Sequence, residues 1–211
     1  SGCVNDALRM RKALRAHGFV RDAILTNEQA TRAKIGEYAR LLLKQVDAAV
    51  AQGVKEPLVL IYYAGHGNKV KQGDLPDKEK SPGDNTFTTH DTDPDGSKDI
   101  RDDDIYRLIT RLQEKNATVV FFADACHSSS SFRAAPSMPI RGLDRGGFTF
   151  LKRRGPAESI FDWDPDGKAD LRRAYYAACD DADVAGETEV NGIVCGKFTQ
   201  VLVELLESGR P

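Results

Sequence analysis

The chain is short of cysteine: 211 residues hold only four, Cys3, Cys126, Cys179 and Cys195, far apart and with no CxxC pair. That spacing indicates neither a zinc knuckle nor a disulfide framework, and it fits a reducing, cytoplasmic setting. Long apolar runs are missing too. None approaches the roughly 18 to 20 residues of a membrane span and no signal peptide opens the chain, so no membrane partner is expected. Neither sign of charge is in excess: 30 Lys plus Arg against 32 Asp plus Glu leave a net charge of −2, which argues against nucleic acid as a partner. An initiator Met is absent, and a helical pattern begins almost at once. The far end, LVELLESGRP, stops just after a helix and a Gly, so a further strand is expected to be missing there. A hydrophobic content of 40% suffices for a core, and the chain reads as one domain over 1–211, expected to be a monomer.

Apolar patterning gives alternating elements. Asn5 or Asp6 is placed to cap a first helix through Ala7, Leu8, Met10 and Leu14 that ends at Gly18. FVRDAILT reads as a strand, and Thr26 or Asn27 as the cap of a second helix carrying Ile35, Tyr38, Leu41, Leu42 and Val46, with its exit at Gly53. Leu58 to Ala64 is a continuous apolar run between Pro57 and Gly65, the signature of a buried strand. Residues 68–88 are polar and rich in Gly, Pro and Lys, and read as a loop. A helix over Asp102 to Glu114, a strand over Thr118 to Ala123, a second loop over 128–170, a strand over Arg173 to Cys179 and a helix over Phe198 to Leu206 complete the pattern. Strands alternating with helices predict a three-layer α/β fold with a mostly parallel central sheet flanked by helices.

Two of the apolar runs deliver reactive side chains where a strand would end, LVLIYYAGHG giving His66 and VVFFADACHSSS giving Cys126. In open α/β sheets active sites gather outside the carboxyl ends of the strands. A thiol is a useful nucleophile as the thiolate, and an adjacent imidazole both favours ionisation and later protonates a leaving amine. Glycines beside His66 leave room for a peptide carbonyl, and the N–H groups of Gly67 and Cys126 are candidate oxyanion donors. The bland reading is an inert packed cysteine and an ordinary turn histidine.

The residues around the pair weigh against that bland reading. YYAGHG, then DACHS, together with GCVNDA at residues 2–7, HDTD with IRDDDI, and GKFTQVLVELL, resemble the caspase-fold cysteine peptidases, in particular metacaspases and their bacterial relatives of peptidase type C14. The likeness covers nearly the whole chain, with 68–88 and 128–170 as variable insertions. Departures are Ser129, where the family usually has Gly after CHS, and Ala64, where a small Ser often precedes GHG. Members normally open with an apolar strand before GCxxDA, and its absence here would leave a sheet edge unpaired. The resemblance implies a caspase-haemoglobinase fold and a catalytic dyad of His66 and Cys126. It places Asp6 and Asp124 in the pocket for the residue preceding the scissile bond, with Cys3 as a weaker pocket-wall candidate. Two carboxylates there select Arg or Lys and reject acidic substrates, so the expected partners are proteins or peptides with Arg or Lys at the cleaved position. The plain structural alternatives are that Asp6 caps the first helix and that Asp124 holds a loop by hydrogen bonds.

Acidic residues crowd one further segment. Asp91, Asp93, Asp95, Gly96 and Asp102 fall at positions 1, 3, 5, 6 and 12 of an EF-hand-like loop, where alternate oxygens can converge on calcium. Position 12 is Asp instead of the bidentate Glu, and Lys98 takes a position usually apolar. The metacaspase resemblance itself points to Asp91, Asp102 and Asp103 as calcium ligands and implies calcium as an activator. The competing reading is that Asp102 to Asp104 oppose a helix dipole. A second acidic stretch, Asp162 to Gly167, reads as a solvated turn, and the basic residues Arg133 to Arg154 before it are expected self-cleavage sites. The function expected is thus a calcium-stimulated cysteine endopeptidase acting after Arg or Lys. Its rival is a catalytically inactive caspase-like module that serves as a calcium-responsive interaction domain.

Overall fold

The computed structural model describes residues 2–19, 21–71, 83–125, 173–178 and 185–209. Its centre is a parallel sheet of order β1-β5-β6, built from β1 (Leu58–Ala64), β5 (Thr118–Asp124) and β6 (Arg173–Ala177). These are the continuous apolar runs, as strands covered on both faces require. Pairing is in register over the whole of β1 and β5, from Leu58 opposite Thr118 to Ala64 opposite Asp124.

Successive strand side chains alternate between faces, and each face has its own helical layer. Val59, Ile61 and Tyr63 of β1, Val119, Phe121 and Ala123 of β5 and Tyr175 of β6 pack with α2 (Arg32–Ala51) and α3 (Asp102–Glu114) through Ile35, Leu42, Val46, Ile109 and Leu112. On the opposite face, Tyr62 packs with Met10 and Ala13 of α1 (Gly2–Ala16) and with Leu202, Val203 and Leu206 of α4 (Lys197–Ser208). Aromatic rings reinforce both layers. Phe121 stacks on Tyr175 with centroids 5.3 Å apart, and Phe122 stacks on Tyr176 at 5.2 Å. Helix, sheet and helix make the expected three-layer α/β sandwich.

Two smaller antiparallel units flank the sheet. One joins β2 (Gly67–Lys71), β3 (Gly83–Phe87) and β4 (Ile100–Arg101) in that order. The other is the hairpin of β7 (Glu187–Val190) and β8 (Ile193–Gly196). Its two turn residues, Asn191 and Gly192, both have positive φ, 54° and 77°, as a two-residue hairpin turn of the primed kind demands.

Four expectations are corrected. Residues 68–88 are not all loop, because β2 and β3 pair within them. This hairpin is polar because it surrounds a buried charge: Asp99 accepts from Thr86 Oγ1 at 2.9 Å, Thr92 Oγ1 at 2.5 Å and Asn68 Nδ2 at 3.4 Å, so hydrogen bonding does the work of apolar burial there. FVRDAILT forms no strand among its described residues; the Asp22 carboxylate is instead held by Arg11 and Arg15 of α1. The cap of α2 is Thr31, whose Oγ1 accepts from Lys34 N at 3.3 Å, while Asn27–Gln29 form a 3-10 turn with Asn27 at φ 48°. Finally, α1 begins at Gly2, so neither Asn5 nor Asp6 caps it.

Candidate active site

His66 follows β1 directly, in the connection to β2. Two contacts hold its backbone carbonyl, and a third ties them together. Thr88 N donates to His66 O at 3.0 Å, the Tyr63 hydroxyl lies 2.9 Å from the same oxygen, and that hydroxyl is also 2.8 Å from Thr88 O. The Tyr63 ring lies against Gly65 so closely that a Cβ on Gly65 would stand 2.3 Å from the hydroxyl oxygen and 2.5 Å from Cζ. Gly65 is therefore required by Tyr63, a constraint additional to any substrate approach past His66.

The end of β5 comes to the same place. Ala64 pairs with Asp124, and Gly65 N donates to Asp124 O at 3.2 Å. In sequence, His66 comes two residues after Ala64 and Cys126 two residues after Asp124. Cys126 itself lies outside the described residues, as do Cys179, residues 128–170 and the acidic stretch 162–167.

Asp6 and Asp124 converge on one glycine. Gly196 N donates to both carboxylate oxygens of Asp6, at 3.1 and 3.0 Å. A Cβ on Gly196 would stand 2.0 Å from Asp124 Oδ2, so the second carboxylate lies against its Cα. Thr199 N donates to Asp124 Oδ2 at 3.1 Å and the Thr199 hydroxyl donates to the same oxygen. The Tyr62 hydroxyl in turn is bonded to Thr199 Oγ1. Both carboxylates are fully buried, and buried charge is tolerated when hydrogen bonds of this kind surround it. Asp6 thus acts from inside α1, not as its cap, and Asp124 anchors a helix end, not a loop. Cys3, half-buried, lies one turn before Asp6 on α1.

Gly196, Thr199 and Tyr62 are the site residues that the sequence reading did not single out. A signal for the first two was present in GKFT, since a glycine before a helical pattern marks a start without a side-chain cap of its own.

The oxyanion candidate Gly67 opens β2 opposite Phe87. Because the chain contains no described cis peptide and His66 O faces Thr88 N, the N–H of Gly67 points to the opposite side of the peptide, away from β3. It is not used in the β2–β3 ladder.

The acidic segment is organised by its own chain. Arg32 N donates to Asp91 Oδ1 at 2.9 Å, which holds the Asp91 carboxyl below its usual range. Ser97 donates its hydroxyl to Asp93 at 2.6 Å and its amide to both Asp93 and Asp95 at 2.9 Å, and the Asp93 carboxyl is lowered to about 2, chiefly by that hydroxyl. Gly96 has φ 72°, the left-handed conformation that the sixth position of an EF-hand-like loop needs. Asp102 and Asp103 open α3, and the Asp103 side chain is outside the described residues. Among the described residues, which do not include the Asp103 side chain, no three His, Cys, Asp or Glu side chains are gathered to hold a metal ion. No helix among the described residues is long and apolar enough to cross a membrane.

Comparison with known proteins agrees with this architecture. Over nearly its full length the chain is similar in fold to the crystal structure of a Geobacter sulfurreducens protein, with a TM-score of 0.53, 18% identity, and coverage of 97% of this chain and 72% of the other. None of the curated proteins compared matches the chain. The family model described as metacaspase, peptidase C14 domain matches residues 1–134, a span that includes His66, Cys126, Asp6 and Asp124 and stops before Gly196 and Thr199. With well over half of its residues matched and the α/β sandwich in place, the chain belongs to the metacaspase, peptidase C14 domain family of cysteine peptidases.

Proposed function

We propose that the protein is a cysteine endopeptidase that hydrolyses peptide bonds after Arg or Lys through His66 and Cys126. The observation that carries this reading is the pairing of Ala64 with Asp124, which puts the histidine and an acidic side chain at the same end of adjacent parallel strands. In the reaction the Cys126 thiolate attacks the carbonyl carbon, and the C=O electron pair moves onto oxygen. The N–H groups of Gly67 and Cys126 stabilise that oxyanion. Protonated His66 then gives its proton to the departing amine as the C–N bond breaks, leaving an acyl-enzyme that water hydrolyses.

Asp6 and Asp124 supply the negative floor that selects a basic side chain, with Cys3 at its wall. Their convergence on Gly196 supports this assignment. A reducing, cytoplasmic location belongs to the same proposal, from the scarcity and wide spacing of the cysteines. Calcium stimulation enters the proposal through Asp91, Asp102 and Asp103, with Asp93 and Asp95 beside them, and no step of the chemistry passes through the ion. Binding would require the acidic segment to exchange its present partners for calcium, and titration calorimetry with CaCl2 tests it directly.

The decisive experiment is a panel of fluorogenic peptides ending in Arg, Lys, Asp or Asn, with wild type and Cys126→Ala. Cleavage after Arg and Lys that disappears in the variant is expected. Turnover that survives Cys126→Ala overturns the proposal.

A further inference from the structure

We infer that Tyr63 is a positioning residue for the oxyanion site and acts through the peptide group that joins His66 to Gly67. The inference rests on the peptidase reading above and adds to it a residue that acts through the backbone. Tyr63 is the penultimate residue of β1, and its side chain closes the turn that carries the histidine. The ring lies over Gly65 and meets Phe87 edge to face, with centroids 4.9 Å apart and planes at 67°. Phe87 is the partner of Gly67 across β2 and β3. The hydroxyl lies 2.9 Å from His66 O and 2.8 Å from Thr88 O.

The consequence follows from the planarity of the peptide. His66 O accepts Thr88 N–H at 3.0 Å and shares the single phenol proton with Thr88 O, so the orientation of the His66–Gly67 plane is fixed from one side. On the other side of the same rigid plane is the Gly67 N–H, the candidate oxyanion donor. Hydrogen bonds received by an amide oxygen also withdraw electron density from its nitrogen, and so make the N–H a stronger donor. One phenol hydroxyl therefore both aims and strengthens a group that acts when negative charge develops on the substrate oxygen. Such an effect belongs to the transition state and not to ground-state binding.

The test is Tyr63→Phe, which keeps the ring over Gly65 and against Phe87 and removes only the hydroxyl. Two inhibitors separate the outcomes: a peptide aldehyde ending in Arg, to which the thiolate adds so that the carbonyl electron pair moves onto oxygen, and the same peptide ending in argininol, which cannot add. The variant is expected to lose about tenfold in kcat and about tenfold in aldehyde affinity, with KM and argininol affinity within about twofold of wild type. Its melting temperature, measured alongside, is expected to stay within a few degrees. Unchanged kcat and aldehyde affinity overturn the assignment, and so does parallel weakening of aldehyde and argininol, which would report a general distortion. If wild type cleaves no peptide, or Cys126→Ala cleaves as well as wild type, the peptidase reading fails and Tyr63 loses its role with it. That pattern is distinct from a failure confined to the Phe variant.

Discussion

Thr199 gives both its amide and its hydroxyl to Oδ2 of Asp124, so a strand residue provides the cap that α4 lacks. The residue at the cap position is Gly196, which has no side chain to offer. Thr199 is the third helical residue, and its amide is one of those a local Ser or Asp cap would bind. The helix N-terminus also carries partial positive charge, which favours the buried carboxylate. Folding of α4 and placement of Asp124 are thereby one event.

Thr199→Val is expected to destabilise the protein by about 2 to 3 kcal/mol, because it removes a donor to a buried charge and a partner of the Tyr62 hydroxyl. Thr199→Ser should restore most of that loss. Urea denaturation reads both, and a Val variant as stable as wild type would show that the hydroxyl contributes nothing.

Gly196→Ala should cost about 3 kcal/mol, since the new Cβ would meet Asp124 Oδ2 at 2.0 Å and Cγ at 2.7 Å. The backbone at this position is ordinary, with φ −70°, so the effect is purely one of space. Combining the change with Asp124→Ala should therefore cost less than the sum of the two. Strict additivity in a double-mutant cycle would count against the contact.

Asp6→Asn and Asp124→Asn each remove a charge and keep the shape. Each is expected to lower kcat/KM for Arg-ended peptides by about tenfold or more and to leave the rate on a neutral residue near wild type. Kinetics on protein titrated for active thiol would check this, and an undiminished Arg preference in both variants would dismiss the pocket.

Ser97→Ala should raise the Asp93 carboxyl from about 2 toward its ordinary value of 3.8, since the Ser97 hydroxyl is the main cause of the depression. The sign of the linkage follows. A folded-state value below the unfolded one stabilises the loop above about pH 4, and the gain is lost as pH falls through about 2. Carbon-detected NMR titration of the side-chain carboxyl measures the shift directly, and an Asp93 that titrates alike in both proteins would refute the assignment.

The elements legible in the sequence are those whose burial is apolar. Leu58–Ala64 and Asp102–Glu114 have the bounds that the apolar run and the helical spacing predict, because side chains such as Val59, Ile109 and Leu112 must face the core. The polar hairpin of β2 and β3 was illegible to the same rule. Its interior is Asn68, Thr86 and Asp99, whose stabilisation comes from hydrogen bonds without periodicity. The β7–β8 hairpin had a local signal in Val-Asn-Gly-Ile, yet its strands are short and mix exposed, half-buried and buried positions, which gives little hydrophobic pattern. At the site, GHG and the Asp124 that opens DACHS meet through Gly65 N and Asp124 O, and GCVNDA marked Asp6. What joins the carboxylates, Gly196 and Thr199, lies 190 and 75 positions away along the chain from Asp6 and Asp124 respectively. Such long-range partners leave no spacing to read.

The matched register of β1 and β5 works as a vernier. Every pair from Leu58–Thr118 to Ala64–Asp124 has the same offset of sixty positions, so the two strand ends keep one fixed relation. Removing one residue inside β5 would break it. It would turn the Asp124 side chain from the α4 face of the sheet to the α3 face, trading the Thr199 donors for an apolar layer. Length is thus forbidden to vary within the strands.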